Sequence, residues 1–567
     1  MRLPLAFLVA GFVSLAARQP ARPIIAATVD SAAADDPYHV ATLCTGVPVS
    51  TGRRVSVSSG PDLQRALDAA SAGDTILLAA GVTFAPAGDG SFVLRNRHLA
   101  PGQWIVIRSA DGAFDPGGSV PPNMRVTDAS VAQMARVRTT TNAPAIRTEP
   151  GASGYRLIGL DIGADESVQQ VTNLVELGNG SDVTVDTEPS DVVIDRCFIH
   201  GNDTGSFRRG VLMNGVRIAV VDSNVSNFHD ANTDSQAVGG SNGPGPFKIV
   251  NNLLEAASEN VMFGGSDPSV PDLVPRDIEV RRNLMTKRLS WQTARVPAKN
   301  AFELKNASRV VVEGNTFENV WVSGQDGTAI LLKSVNQQGR CTWCVTEYVT
   351  FRNNIVRGAA HGLLINAAET GGPGMPAPRK ANHIRVDNVV FEDIGGRQWG
   401  SGGKLLRVFG GVSDASFTHV TSRGNASGIL DPQSPTDLNP NLVFKNNVVE
   451  RMYYGIGTGS VEGTRTLATN FNPYTYGYNV LVNTSGPTDQ SIANRDLESR
   501  YPGRTWVVSG WDDVGFQSGS SALARSSRFS RAADDGKDVG ADVQAITAAQ
   551  TAGRGADGCG VGTAVPK

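Results

Sequence analysis

Four stretches decide the reading of this chain: FKIVNNLLEA (residues 247–256), IEVRRNLMTK (278–287), VVVEGNTFENV (310–320) and VTFRNNIVRG (349–358). Each begins with three or four residues of apolar–polar alternation, the period of a strand. Each then reaches an Asn and resumes a second short apolar run. VVDSNVSNF (220–228), IRVDNVVFEDI (384–394) and LVFKNNVVERM (442–452) repeat the pattern, which aligns Asn224, Asn252, Asn283, Asn315, Asn354, Asn388 and Asn447. Val420 and Cys197 fill two further slots. Successive steps run from 27 to 39 residues, room for two strands joined by a tight turn, then a third strand and a loop. The third strand shows as GVLMNG, QAVGG, NVMFGG, FELKN, AILLKS, GLLINA and LLRVFGG.

Runs of this kind cannot bury themselves alone and must stack on their neighbours. Parallel stacking sets each Asn above the last, where side-chain amides form a hydrogen-bonded ladder along a turn. The predicted fold is all-β: a single-stranded right-handed parallel β-helix over residues 55–490. An open solenoid end needs covering, and PDLQRALDAASAGD (61–74) predicts an N-terminal capping helix with Leu63, Ala66, Leu67 and Ala70 on one face and Pro61 at its start. Residues 28–54 form an N-terminal segment. After about residue 490 the period is lost in Ser, Gly, Ala and Asp, so 491–567 reads as a C-terminal cap and tail.

Composition agrees with a turn-rich β protein: 63 Gly, 6% aromatics and 19% charged residues. Charge is balanced, 51 Lys+Arg against 54 Asp+Glu, which argues against a nucleic-acid partner. Arg2 followed by the apolar run Leu3 to Ala17 reads as a signal peptide over residues 1–27, too short to span a bilayer, and predicts a secreted or periplasmic protein without a transmembrane segment. The expected working form is a monomer. Five Cys suit an oxidising compartment. Cys341 and Cys344 are expected to form a local loop disulfide. Cys44 and Cys559 could join the two ends, leaving Cys197 a buried thiol.

In its coils and asparagine turns the chain resembles the pectate lyase superfamily of β-helical carbohydrate enzymes over roughly residues 55–480. The resemblance is sharpest from Asp222 to Phe317. There NTDSQAV, SENVMFGGSD and FELKNASRVVVEGNTF follow the order of segments that in pectate lyases carry calcium ligands, a substrate-binding stretch and the catalytic base. The resemblance implies a polysaccharide substrate and places Lys305 where similar lyases keep a basic catalytic residue.

Aligning the third strands on Met213, Val238, Phe263, Leu304, Leu332 and Ile365 as inward residues gives an outward file of Asn214, Gly239, Gly264, Lys305, Lys333 and Asn366. Lys305 and Lys333 would then lie on adjacent coils, each depressing the other's pKa, which suits a general base acting beside a carboxylate. Glu303 is the acid that would balance them. Four residues earlier the file reads Arg209, Asp234, Glu259, Asn300, Thr328 and His361. Asp234 and Glu259 could hold a Ca²⁺ against a uronate carboxylate, or Arg209 with Arg208 could clamp that carboxylate directly. A structural Arg209–Asp234 ion pair is the plainer alternative. Asn260, Asn300, His361, Asn366 and Trp291 complete the expected substrate-binding set.

The leading expectation is a lyase opening a uronate-containing polysaccharide by β-elimination. NTDSQ also resembles the NTD segment of polygalacturonases, and Asp234 with Glu259 would suffice for hydrolysis. A non-catalytic polysaccharide-binding surface protein is the third possibility.

Overall fold

A computed structural model describes residues 36–552, apart from 89, 116, 401, 425–426, 452, 459–460 and 485–493. The expected signal peptide and Cys559 lie outside the described residues. The chain winds as a right-handed parallel β-helix. One large parallel sheet collects the first and second strands of every coil, and an eleven-stranded sheet collects the third strands. The coil runs past the expected boundary at residue 490, because Thr505–Val508 still pairs in parallel with Asn479–Val482.

The turn between first and second strands explains the recurring asparagines. Asn252 accepts the Ser223 backbone N–H at 2.8 Å, Asn283 accepts that of Asn252 at 2.9 Å, Asn315 that of Asn283 at 2.9 Å, and Asn354 that of Asn315 at 2.8 Å. Each amide nitrogen donates to a carbonyl of the neighbouring coil, Asn283 to Ile249 and Asn315 to Val280. A second run joins Val420, Asn447 and Asn479. Two expected members are displaced by one residue. Ser223 rather than Asn224 occupies the file, and Val389 rather than Asn388 aligns with Val420. Asn388 instead fills the left-handed position that precedes the ladder residue (φ 53°), as do Asp222, Asn251, Arg282 and Asn353 on other coils. Asn is at home in both positions, so sequence alone does not separate them.

A continuous apolar core runs from Val57 to Val507. The expected helix forms over Gly60–Ala69, with the Ser59 side chain accepting the Asp62 N–H, Pro61 in the first turn, and Leu63 and Leu67 buried against the first coil. The N-terminal segment lies across the outside of the large sheet. Arg156 donates to the Gly46 carbonyl, Lys248 to the Leu43 carbonyl, and the Arg385 guanidinium sits 3.5 Å over the Tyr38 ring. Cys341 and Cys344 form a disulfide, Cys44 is disulfide-bonded, and Cys197 is a buried free thiol.

Candidate functional site

Third-strand register fixes which side chains share a file. One inward file reads Val211, Val238, Val261, Phe302, Ile330, Leu363 and Leu406. The next reads Gly240, Phe263, Leu304, Leu332, Ile365 and Val408. Val238 therefore belongs two residues earlier than the sequence alignment placed it, and Gly240 takes its slot. The correction moves Asp234 out of the file of Arg209 and Glu259. Gln236 stands there instead, paired with Arg209 on one coil and Glu259 on the next.

Strict alternation would turn that file inward. It faces out because each third strand opens with two consecutive core residues: Ala237–Val238, Ala301–Phe302, Ala329–Ile330 and Leu405–Leu406 are all buried in the central cluster. Two inward residues in succession reverse the parity, returning the preceding side chain to the outer face. The same geometry corrects Asn260, which occupies the first inward slot. Its amide donates to the carbonyls of Leu254 and Thr286, and its oxygen accepts from the buried Lys287 at 3.1 Å. Asn260 thus holds the interior of a corner and does not line the outer face.

On the outer face, charges are layered. Glu303 and Glu259 lie beneath, both fully buried. Lys305 and Lys333 stand over Glu303, with Nζ atoms 3.7 and 3.5 Å from the same Oε1 and side chains 13% and 9% exposed. Lys333 also donates to both oxygens of Glu369, at 3.1 and 3.0 Å. Asp234 pairs with Lys299 at 2.6 Å. From Glu259 a polar chain runs across the coils: Gln236 donates to Glu259 Oε2 at 2.7 Å, Arg209 donates to Gln236 Oε1 at 3.1 Å and to Asn173 at 2.7 Å, and Asn173 donates to Glu176 at 2.7 Å. Arg208 donates to the Asp234 carbonyl.

These surroundings set the protonation states. Burial disfavours the Lys305 ammonium, but Glu303, Glu259, Asp234 and Glu369 together outweigh it and raise its pKa above the usual lysine value. The expected mutual depression of two stacked lysines is overturned for Lys305, because the acids beneath the pair outweigh a single like-charged neighbour. Burial, then Glu303 and Asp234, push Glu259 up to about 8. Arg209 is drawn down by burial and by Arg208 to about 10, still charged at neutral pH. Burial, then Arg407, take His361 down to about 4, and its Nδ1 accepts the Lys404 N–H at 2.8 Å. His361 is therefore a neutral imidazole in most conditions.

A calcium ion at Asp234 and Glu259 does not fit the donor set. Lys299 occupies Asp234, Gln236 occupies one oxygen of Glu259, and among the described residues no group of three acidic, His or Cys side chains converges on one point. Trp291 is also corrected. It is 6% exposed and packs with Trp321 and Trp399 under a loop, so it serves packing. Asn300 is buried, its amide donating to the Thr328 carbonyl and its oxygen unpartnered. Asn366 follows Lys333 on the next coil. Residues missed from sequence are Gln236, Lys299 and Glu369. A recurring small–apolar doublet at the start of each third strand was the available signal for Gln236. Lys299 and Glu369 lie in segments with no periodic mark.

No family model and no curated protein sequence matches the chain. Among solved structures, it is similar to a PL6 family alginate lyase, AlyGC, at 12% identity and a TM-score of 0.46, covering 80% of this chain and 53% of that one. The chain thus spans about half the length of that relative. It is similar as well to the PL6 family polysaccharide lyase Pedsa3628 from Pseudopedobacter saltans, at 12% identity and TM-score 0.40, covering 79% of this chain and 95% of that one. Pectate lyase Pel9A matches at 12% identity and TM-score 0.33, covering 87% of this chain and 97% of that one. These likenesses concern the winding of the coil alone. No helix among the described residues is long and apolar enough to cross a membrane.

Proposed function

We propose that the outer face of the third-strand sheet binds an acidic polysaccharide and opens it by β-elimination, outside the cytoplasm. The observation that carries this reading is the pair Lys305 and Lys333, stacked on adjacent coils over one buried carboxylate on the outer side of the sheet, Lys305 the more open of the two. An ammonium pair held in place by a buried counter-charge is matched to a uronate carboxylate, and Arg209 extends the positive surface one way along the coils. The Cys341–Cys344 disulfide supports an oxidising compartment.

In this reading the uronate carboxylate docks against Lys333, which stabilises the negative charge that develops when its α-proton leaves, while Arg209, four coils away, meets another carboxylate of the same chain. Lys305, in its neutral form, takes that proton. The C4–O glycosidic bond then breaks, a C4–C5 double bond forms, and the departing oxygen takes a proton from the Lys305 ammonium or from water. Because the surrounding acids favour the charged amine, the neutral form is scarce at pH 7 and the reaction is favoured by alkali. Purified protein is to be tested on polygalacturonate and alginate for ultraviolet absorbance of the unsaturated product, with Lys305→Ala beside it. Absorbance that grows equally in the variant removes Lys305 as base.

One observation favours hydrolysis instead. Glu259 is held protonated to about pH 8 beside the Asp234 carboxylate, an acid and a base on neighbouring coils. New reducing ends without absorbance, lost above pH 8 and abolished by Glu259→Gln, would select that reaction.

A further inference from the structure

The file that begins at Arg209 does not stop at the charged cluster. From Gln236 and Glu259 it passes Asn300, Thr328 and His361. Lys404 follows, its N–H donating to His361. Leu406 pairs with Leu430 and Leu430 bridges to Ile456, so the residues two before each, Lys404, Gly428 and Tyr454, continue the same file. Gly428 carries no side chain, and across that gap Lys404 reaches the Tyr454 ring at 4.6 Å while also pairing with Asp431 at 3.3 Å. The cation fixes the ring without covering it. Tyr453 stands beside it with ring centroids 6.3 Å apart.

Tyr453 and Tyr454 are 47% and 41% exposed, and no other Phe, Tyr or Trp among the described residues is exposed. Two open rings at the end of a file whose nearest polar members, His361 and Lys404, are partly exposed while Gln236, Glu259, Asn300 and Thr328 are buried offer an apolar platform of the kind a pyranose face covers. We infer that Tyr453 and Tyr454 form a distal subsite that stacks sugar rings of the same polysaccharide chain held at Lys305 and Lys333. This rests on reading that face as a polysaccharide site. From Asn300 to Tyr454 is five coils, about 24 Å at the strand spacing, a length bridged by an oligosaccharide and not by one or two sugars. The subsite therefore selects for chain length, and it acts on any pyranose, charged or neutral.

The test compares wild type with the Tyr453→Ala/Tyr454→Ala double variant by affinity electrophoresis in gels containing alginate, polygalacturonate or neutral xylan. Tyr453→Phe/Tyr454→Phe is the control, since it keeps the rings. Retardation of wild type by a polymer, weakened about tenfold in the alanine variant and kept in the phenylalanine one, is the expected result for two lost ring contacts. On any polymer that is turned over, KM for long chains rises in the alanine variant while that for the shortest cleaved oligomers stays. Equal retardation of wild type and alanine variant by an acidic polymer overturns the subsite and leaves the proposed function standing. Retardation by xylan alone, lost with the rings, keeps the subsite and removes the acidic substrate. No retardation of wild type in any gel overturns both.

Discussion

Lys305 and Lys333, on adjacent coils, share one oxygen of a single buried carboxylate, Glu303 Oε1, at 3.7 and 3.5 Å. Two ammonium groups so close would repel and splay into solvent. The carboxylate beneath keeps both standing over the sheet, and Glu369 holds the second from the outside. Glu303 is hidden beneath the pair, Glu369 stays open on the outside, and of the two cations Lys305 is the less covered.

If Lys305 is the base, its alanine variant loses about 10²- to 10⁴-fold in kcat, the range a positioned proton acceptor supplies. Its circular dichroism stays that of wild type and its melting temperature falls less than that of Glu303→Gln, because the buried Glu303 keeps Lys333 as counter-ion. A loss of activity that tracks a loss of folded protein would count against a catalytic role.

The raised pKa of Lys305 gives a sign to the pH dependence. With its pKa raised by the surrounding carboxylates, Lys305 is overwhelmingly charged at pH 7, and the neutral fraction grows tenfold per pH unit. The logarithm of kcat/KM should therefore climb with unit slope through pH 9 without a plateau. Glu303→Gln removes the largest upward influence on that amine, so the same climb begins at lower pH. A pH profile that is flat from 6 to 9 in wild type would contradict Lys305 as the proton acceptor.

Glu303→Gln should also reveal the structural role of the buried charge. Two ammonium groups lose their shared counter-ion, and about 2–4 kcal/mol of stability goes with it, read as a lower urea midpoint. The loss is expected to shrink when Lys333→Met is added, since one of the stranded charges is then gone. Additive losses in the double variant would show that the two side chains are not coupled.

Asn315→Ala removes the acceptor of the Asn283 N–H and side-chain amide and the donor to the Val280 carbonyl inside the turn, while the Asn354 oxygen keeps the residue-315 backbone N–H, and should cost about 2–4 kcal/mol. Asn388→Ala removes no ladder bond. It places Ala at φ 53° and frees the Asp542 N–H, for about 1–2 kcal/mol. Chemical denaturation of the pair separates the ladder position from its left-handed neighbour. Equal losses would mean the two positions are energetically alike.

Trp291→Ala should lower stability by about 3–5 kcal/mol by opening a cavity against Trp321 and Trp399. The fraction that remains folded should keep its affinity for polysaccharide, measured by affinity electrophoresis. A selective loss of binding at full stability would return Trp291 to the substrate.

The thirty-residue period, the stacked coil, the ladder at Asn252, Asn283 and Asn315, and the outward adjacency of Lys305 and Lys333 were all legible in the sequence. They follow from strand alternation and from repetition, which are local properties summed over coils. What only the tertiary structure decided begins at the corner of each third strand, where Ala237 and Val238 both turn inward. That reversal sent Asn260 inside and kept Glu259 on the outer side, whereas the exchange of Asp234 for Gln236 came from the register, which sets Gly240 and not Val238 beside Phe263. No periodic rule carries it, because a bend changes side-chain parity without changing residue type. The protonation of Lys305 was equally out of reach. It is set by four carboxylates drawn from separate coils, and only the winding of the backbone brings their charges within range of one amine.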